Sequence, residues 1–158
     1  MAYILMQWCC IMSFVSDSVK VLRARGYRIT QPRRRLLELL GQVKVPLSPY
    51  NMQKKLEEMG QHLDTVTIYR ILDLLCELGL THKVLSANGF IRCTLGDEGG
   101  CHRYLVCRKC GGLREFADEA LCIRENEAAQ RFGFQTEYHL TEFSGLCADC
   151  RAGGLAGG

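Results

Sequence analysis

Two Cys-x-x-Cys pairs, Cys107/Cys110 and Cys147/Cys150, constrain this chain more than any other feature. Each pair places two thiolates on a tight turn, where both can reach one ion. Together they supply the four sulfurs of a closed structural zinc site. Gly111 follows the first pair and permits the positive φ angle that such a turn needs. The spacing therefore predicts a metal-stapled fold, and disulfides or idle thiols are the alternative.

The length and the cysteine content narrow the class of protein. The chain has 158 residues, which suits one medium domain or two small ones. Cys-x-x-Cys pairs without a convincing export signal indicate metal ligands in a reducing cytoplasm. The apolar stretch from Ala2 to Val15 has no basic residue before it and is too short to span a membrane. We therefore expect a cytoplasmic protein without a membrane partner. Residues 1–15 form an N-terminal extension, in which Cys9 and Cys10 have no assigned role.

Positive charge is concentrated in the first half of the chain. Residues 1–85 carry 12 Lys and Arg against 7 Asp and Glu, whereas residues 86–158 carry 8 against 10. The run from Lys20 to Arg35 contains Arg28 and Arg33 and no acidic residue. Such a run suits contact with a phosphate backbone, although a solvated helix face has the same composition.

Residues 16–95 have the element order of a winged helix-turn-helix domain. Four helical patterns are each followed by a glycine, and two strand-like segments, Leu80–Leu85 and Phe90–Leu95, come after them. The helices are predicted to begin at Ser16–Ser18, at Thr30, at Ser48, and at Asp64 or Thr65, and to end at Gly26, Gly41, Gly60 and Gly79.

The last helix before the wing enters the major groove in this architecture. Ile68, Ile71 and Leu75 mark its apolar face, which leaves Tyr69 and Arg70 pointing outward. An exposed Tyr-Arg pair suits contact with phosphates and base edges, although a surface pair without a partner is the alternative.

Residues 103–150 form a predicted small α/β unit around the two cysteine pairs, which makes the whole chain α+β. The predicted elements are strands 104–106 and 113–116, a helix over 118–132 and a strand over 135–143. A Gly-rich hinge over 96–102 precedes the unit, and a disordered tail over 151–158 follows it. The unit is too small to bury much core, so we expect metal, dimerisation or both to support it.

A second set of potential ligands surrounds the predicted wing. With a four-residue turn at 86–89, an antiparallel hairpin places His82 directly opposite Cys93. His102 is the last residue of the hinge, and Glu115 lies on the strand that follows the first cysteine pair. Two imidazoles, one thiolate and one carboxylate favour zinc over iron or magnesium. Ligands drawn from both halves of the chain predict a metal-controlled conformational switch, although a polar wing residue and a buried strand cysteine are the alternative.

Five motifs follow one another between Arg25 and Cys150. They are Gly26-Tyr27-Arg28-Ile29-Thr30 with Arg33, Thr67-Ile68-Tyr69-Arg70, Gly79-Leu80-Thr81-His82-Lys83-Val84, Cys107-x-x-Cys110-Gly111 with Glu115, and Gly145-Leu146-Cys147-x-x-Cys150. In this order, the motifs make the sequence resemble the ferric uptake regulator family, and most closely its zinc-sensing branch. The resemblance covers about four-fifths of the chain.

The resemblance implies a dimeric winged-helix repressor that binds double-stranded DNA at A/T-rich inverted repeats when metal is bound. Its zinc branch represses zinc uptake genes and uses the same order of regulatory ligands. We therefore expect two zinc ions per chain. The ligands expected for the structural ion are Cys107, Cys110, Cys147 and Cys150. The ligands expected for the regulatory ion are His82, Cys93, His102 and Glu115. The residues expected to contact DNA are Arg28, Arg33, Thr67, Tyr69 and Arg70.

Departures from the family pattern bear on which metal is sensed. Iron-sensing relatives usually have a His-rich run before the first cysteine pair, where this chain has Gly100-Cys101-His102-Arg103-Tyr104. A further sensory site of some relatives would map to Cys101, Arg103, Cys122 and His139, but arginine cannot be a ligand. Iron, manganese or peroxide sensing remains the alternative within the family. A zinc hydrolase and a zinc-stapled adaptor that does not bind DNA are alternatives outside it.

Overall fold

The computed structural model describes residues 2–95, 101–137 and 139–152, with side chains described from residue 13 onward except at 139 and 140. The contacts divide the chain into two compact units. One consists of Met1–Lys83 with Asn88–Arg92, and the other consists of Val84–Ala87 with the chain from Cys93 onward. Helices dominate the first unit and a three-stranded sheet lies in the second, which confirms the predicted α+β class.

The helices of the first unit are α1 (Ala2–Ala24), α2 (Gln31–Gln42), α3 (Pro49–Glu58) and α4 (Thr65–Glu77). The last three begin where the sequence predicts. Ser48 accepts a hydrogen bond from the Asn51 N–H, and Asp64 accepts one from the Thr67 N–H, so both are N-caps. The helices bury a leucine-rich core that includes Leu36, Leu37, Leu40, Met52, Leu56, Ile68, Leu72 and Leu75.

Helix α1 begins at Ala2, so the predicted start at Ser16–Ser18 is wrong. The helix already runs through these residues, because no glycine or proline interrupts the chain between 2 and 24. Asp17 forms an exposed ion pair with Lys20 one turn later instead of capping the helix. Gly26, at φ +80°, lies just beyond the end of α1, as predicted. Within the described ranges, no helix is both long and apolar enough to cross a membrane.

The predicted end of α2 at Gly41 is also wrong. Gly41 is buried inside the helix, which continues to Gln42. Its carbonyl accepts a 2.7 Å hydrogen bond from the Arg92 guanidinium. A carbonyl near the C-terminus of a helix needs a partner from outside the helix, and Arg92 supplies one.

Two short strands, β1 (Thr81–Val84) and β2 (Gly89–Arg92), form the predicted wing. The turn occupies residues 85–88 and not 86–89, because Asn88 takes the left-handed conformation at φ 45°. Gly89 is the first residue of β2. A Cβ atom there would lie 2.9 Å from the backbone of Pro46 and Leu47. Close backbone approach, and not turn geometry, therefore requires this glycine.

The second unit contains β3 (Cys101–Cys107), β4 (Leu113–Phe116), α5 (Glu119–Arg131), β5 (His139–Gly145) and α6 (Ala148–Ala152). The sheet order is β4-β3-β5, with β3 antiparallel to β4 and parallel to β5. β3 begins at Cys101, so the last two residues of the predicted hinge belong to this strand. Residues 96–100 of the hinge and 153–158 of the predicted tail lie outside the described residues.

Candidate metal centres

The four cysteines of the two Cys-x-x-Cys pairs converge in the second unit. Their sulfur atoms all lie within 4.8 Å of one another. The Cys110 and Cys147 sulfurs are 3.9 Å apart. Zn–S bonds of about 2.3 Å in a tetrahedron require sulfurs about 3.8 Å apart, so the arrangement fits one zinc ion.

Backbone geometry shapes both turns of this four-cysteine cluster. Gly111 has φ +70°, and its N–H donates to the Cys107 carbonyl at 2.9 Å, which closes the first turn. The Gly112 N–H points at the Cys110 sulfur and the Cys147 N–H points at the Cys107 sulfur, both at 3.4 Å. Hydrogen bonds from backbone N–H groups lower the pKa of the Cys107 thiol to about 6. The bond from Cys110 has the largest effect, and the bond from Cys147 has the next largest. The turns thus present a thiolate that is ready to bind a cation.

A second cluster in the same unit contains three of the predicted regulatory ligands, Cys93, His102 and Glu115. The His102 Nδ1 lies 2.8 Å from the Glu115 Oε1. The Cys93 sulfur lies 3.9 Å from that nitrogen and 3.8 Å from that oxygen. The Glu115 side chain is 2% exposed, so its carboxylate is removed from water. A buried carboxylate, an imidazole and a thiol that meet at one point fit a divalent cation with borderline ligand preference.

Hydrogen bonds keep Glu115 ionised in spite of its burial. Its Oε2 accepts bonds from the backbone N–H and the hydroxyl of Thr94, both at 2.6 Å. Its Oε1 accepts a 2.8 Å bond from the Tyr104 hydroxyl. Burial alone would raise the pKa of Glu115, but the bonds from His102, Thr94 and Tyr104 outweigh it and hold the pKa at about 2. Cys93 and then Glu115 raise the pKa of His102 to about 10. At neutral pH, the ionised Glu115 therefore pairs with a protonated His102, and a metal cation that binds His102 must displace this proton.

The fourth predicted regulatory ligand, His82, lies on β1 in the first unit and is half-buried. Its assignment depends on the predicted pairing of the wing strands. That pairing assumed a turn at 86–89, whereas the observed turn at 85–88 aligns His82 with Ile91 by the same alternation. Cys93 directly follows β2.

The predicted DNA-contacting residues all lie in the first unit. On α4, Tyr69 is 48% exposed and Arg70 is exposed beside it, as the apolar pattern predicts. The Thr67 hydroxyl donates a 2.6 Å hydrogen bond to Asp64 at the start of the same helix. Arg33 donates a 2.6 Å bond to the Arg28 carbonyl. The Arg33 guanidinium also lies 5.7 Å from the ring centroid of Tyr27, so it orders the segment before α2.

Sequence reasoning missed the residues that support Glu115. Tyr104 lies two residues after His102 on the same strand and pairs with Glu115 across the ladder. The two-residue period of a strand could have placed its side chain beside the cluster. Thr94 carries no such signal, because it follows β2 in irregular backbone.

Cys101 and Cys122, considered as possible ligands of a further site, are joined by a disulfide. Arg103, which the family pattern would place among those ligands, is fully buried and pairs with Glu125 at 2.5 Å. The side chain of His139 lies outside the described part of the structure, although its backbone is the β5 neighbour of Cys101.

Comparison with known proteins identifies the family. The model of the ferric uptake regulator family matches residues 24–144. The chain belongs to the ferric uptake regulator family. Members of this family are transcription regulators, so the hydrolase alternative is excluded and the chain is not an enzyme.

Individual relatives in this family carry two different names. The zinc uptake regulation protein of Escherichia coli is 30% identical over 137 residues, which cover 86% of this chain and 80% of that protein. The ferric uptake regulation protein of Vibrio anguillarum is 31% identical over 136 residues, or 85% and 91% of the two chains. A solved structure described as a zinc uptake regulator complexed with zinc and DNA has a TM-score of 0.84 at 28% identity, and the match covers 92% of this chain and 98% of that one.

Proposed function

We propose that this chain is a cytoplasmic, zinc-responsive transcriptional repressor. Its zinc-loaded homodimer binds A/T-rich inverted-repeat operators and represses zinc uptake genes. The observation that carries this proposal is the donor set of the second cluster, in which a thiol, Cys93, meets His102 and Glu115. A thiolate among the ligands favours zinc over the harder cations Mn²⁺ and Fe²⁺. The relative named for zinc uptake and the similar structure that holds zinc and DNA support the same assignment.

Each chain binds two zinc ions, of which one is structural and the other is regulatory. Cys107, Cys110, Cys147 and Cys150 hold the structural ion, which contributes folding energy to a unit with little buried core. Cys93, His102 and Glu115, with His82 as fourth ligand, hold the regulatory ion. Zinc bound there would cross-link these four side chains and offset the charge of the thiolate and the carboxylate. Thr94 and Tyr104 orient the Glu115 carboxylate toward it.

The first unit supplies the DNA contacts. Helix α4 presents Tyr69 and Arg70 to the major groove, where Arg70 can pair with a phosphate or a guanine edge. Arg28 and Arg33 contact the phosphate backbone from the segment before α2. Thr67 holds the α4 N-terminus through Asp64, and its exposed edge faces the DNA.

A second copy of the chain covers apolar surface on the second unit. Leu105, Phe143 and Leu146 are 44–51% exposed, and a groove of about 550 Å³ runs between them and the cysteine turns. β5 is an edge strand of the sheet. An edge strand beside exposed apolar side chains suits isologous pairing with the same strand of another copy.

A metal-dependent selection tests the proposal. Duplexes with a randomised centre are selected for binding to the full chain in the presence of Zn²⁺, and the affinity of the selected operator is then measured with Zn²⁺, Fe²⁺ or Mn²⁺ at buffered free concentrations. We expect an A/T-rich inverted repeat and the strongest activation by zinc. Stronger activation by Fe²⁺ or Mn²⁺ favours the iron- or manganese-responsive alternative, which the relatives named for ferric uptake support. A zinc-loaded dimer that selects no sequence supports the adaptor alternative.

A further inference from the structure

The Cys101–Cys122 disulfide is unusual among the cysteines of this chain. Of the eight cysteines with described side chains, the other six form no disulfide, and four of these form the four-cysteine cluster. The Cα atoms of Cys101 and Cys122 are 6.1 Å apart, within the range that a disulfide spans. The chain therefore combines a metal site that requires reduced thiols with one pair that is placed to oxidise.

The disulfide lies across β3 from the second metal cluster. Cys101 and Arg103 face α5, since Cys101 bonds Cys122, and Arg103 reaches the Asp118 carbonyl and Glu125. The next residues along the strand, His102 and Tyr104, face Glu115 instead. Adjacent residues of one strand thus carry the disulfide on one face and a metal ligand on the other.

Helix α5 depends on these contacts for its attachment to the sheet. Among its described residues, none is buried, so apolar packing holds it weakly. Arg103 is fully buried, and its ion pair with Glu125 joins β3 to α5. The Cys101–Cys122 bond is the covalent link between the same two elements.

We propose that Cys101 and Cys122 form a reversible modification site, which low-molecular-weight disulfides such as oxidised glutathione convert from dithiol to disulfide. Cys122 is the more exposed of the two. Its thiolate attacks one sulfur of the small disulfide and releases one small thiol. The Cys101 thiolate then attacks the Cys122 sulfur of the mixed disulfide and releases the second thiol. Two protein thiols are oxidised, one small disulfide is reduced to two thiols, and the two protons pass to the released thiols.

The consequence for regulation rests on the function proposed above. The bond ties the first residue of β3 to α5, and His102 is the next residue on that strand. Fixing Cys101 restricts the orientations open to His102, so less order must be imposed when the ion binds. Oxidation therefore tightens zinc binding at the second cluster and keeps the repressor active at a lower free zinc concentration.

The first experiment tests the modification itself. The zinc-loaded full chain is equilibrated with mixtures of reduced and oxidised glutathione, quenched by alkylation, and analysed by peptide mass spectrometry and zinc counting. We expect reversible formation of the Cys101–Cys122 bond with unchanged zinc content. C122A should abolish this bond, and C76S, at a thiol outside the pair, should leave it intact. Failure to form the bond at any ratio, or one additional zinc ion bound on reduction, would overturn the proposal in favour of idle thiols or a third metal site.

The second experiment tests the coupling to the metal cluster. A chromophoric chelator competes for the more weakly held zinc ion of the oxidised and of the reduced chain, with C122A under both conditions as control. We expect about tenfold tighter binding after oxidation, within the range of groups that position metal ligands, and no change in C122A. Equal affinities in the two states overturn the coupling. Loss of zinc-dependent operator binding in both states contradicts the proposed function but leaves the outcome of the glutathione experiment unaffected.

Discussion

Replacing Glu115 by Gln removes a charge from the centre of the second cluster with almost no change in shape. The carboxylate is 2% exposed and accepts hydrogen bonds from Thr94, Tyr104 and His102. An amide in its place turns an NH₂ group toward at least one of these donors and supplies no negative charge to the ion. We expect zinc affinity at this cluster to fall by about 300-fold, or about 3.5 kcal/mol at 1.4 kcal/mol per tenfold change.

Chelator competition on the full chain measures this loss, with zinc content and thermal unfolding followed in parallel. E127Q is the matched control, because Glu127 lies exposed on α5 in the same unit and the substitution makes the same change in charge. Y104F removes only one donor to Glu115 and should cost about 10- to 100-fold. The reasoning is refuted if E115Q retains wild-type affinity for the second ion while it remains folded, or if Y104F weakens binding more than E115Q does.

Three further substitutions test other parts of the account. C107S should unfold the second unit, because the four-cysteine ion contributes folding energy, and both zinc ions of the chain should then be lost. Zinc counting with circular dichroism checks this, and a folded unit at unchanged zinc content contradicts it. G89A should destabilise the first unit by about 1–3 kcal/mol, because its Cβ would lie 2.9 Å from the backbone of Pro46 and Leu47. Urea unfolding measures this, and G145A is the control, because a Cβ at Gly145 would meet nothing within 4 Å. R70A should weaken operator binding by about tenfold or more at unchanged zinc content. Fluorescence anisotropy measures the affinity, and equal affinity of R70A and the wild type would mean that Arg70 does not contact the operator.

Local signals predicted most of the architecture. Ser48 and Asp64 cap the helices that they were expected to cap, because a side-chain oxygen before an apolar run satisfies free backbone N–H groups. The apolar stripe of α4 placed Tyr69 on the surface for a similar reason. The failures involve residues whose role is set by partners distant in sequence. Gly41 remains helical with Arg92 bonded to its carbonyl, and Gly89 is required by the backbone at Leu47.

The sequence predicted the two candidate metal sites in different detail. Cys-x-x-Cys spacing brings together the two members of each cysteine pair, and the pairing of β3 with β5 brings the two pairs into one cluster. Cys93, His102 and Glu115 are also brought together, but their hydrogen-bonded surroundings were not predicted. The two-residue period of β3 could have placed Tyr104 beside the cluster, but only three-dimensional contact reveals that Thr94 supports Glu115. The Cys101–Cys122 bond joins residues 21 positions apart, and no spacing rule predicts it.

The central claim is that structural and regulatory metal sites are separate, and C93S tests it most directly. Zinc per chain, dimer mass and zinc-dependent operator binding are measured together on the wild type and on C93S. We predict that C93S retains one zinc ion and the folded dimer but no longer binds the operator in response to zinc. Unfolding of C93S, or operator binding at the same free zinc concentration as the wild type, would contradict the account.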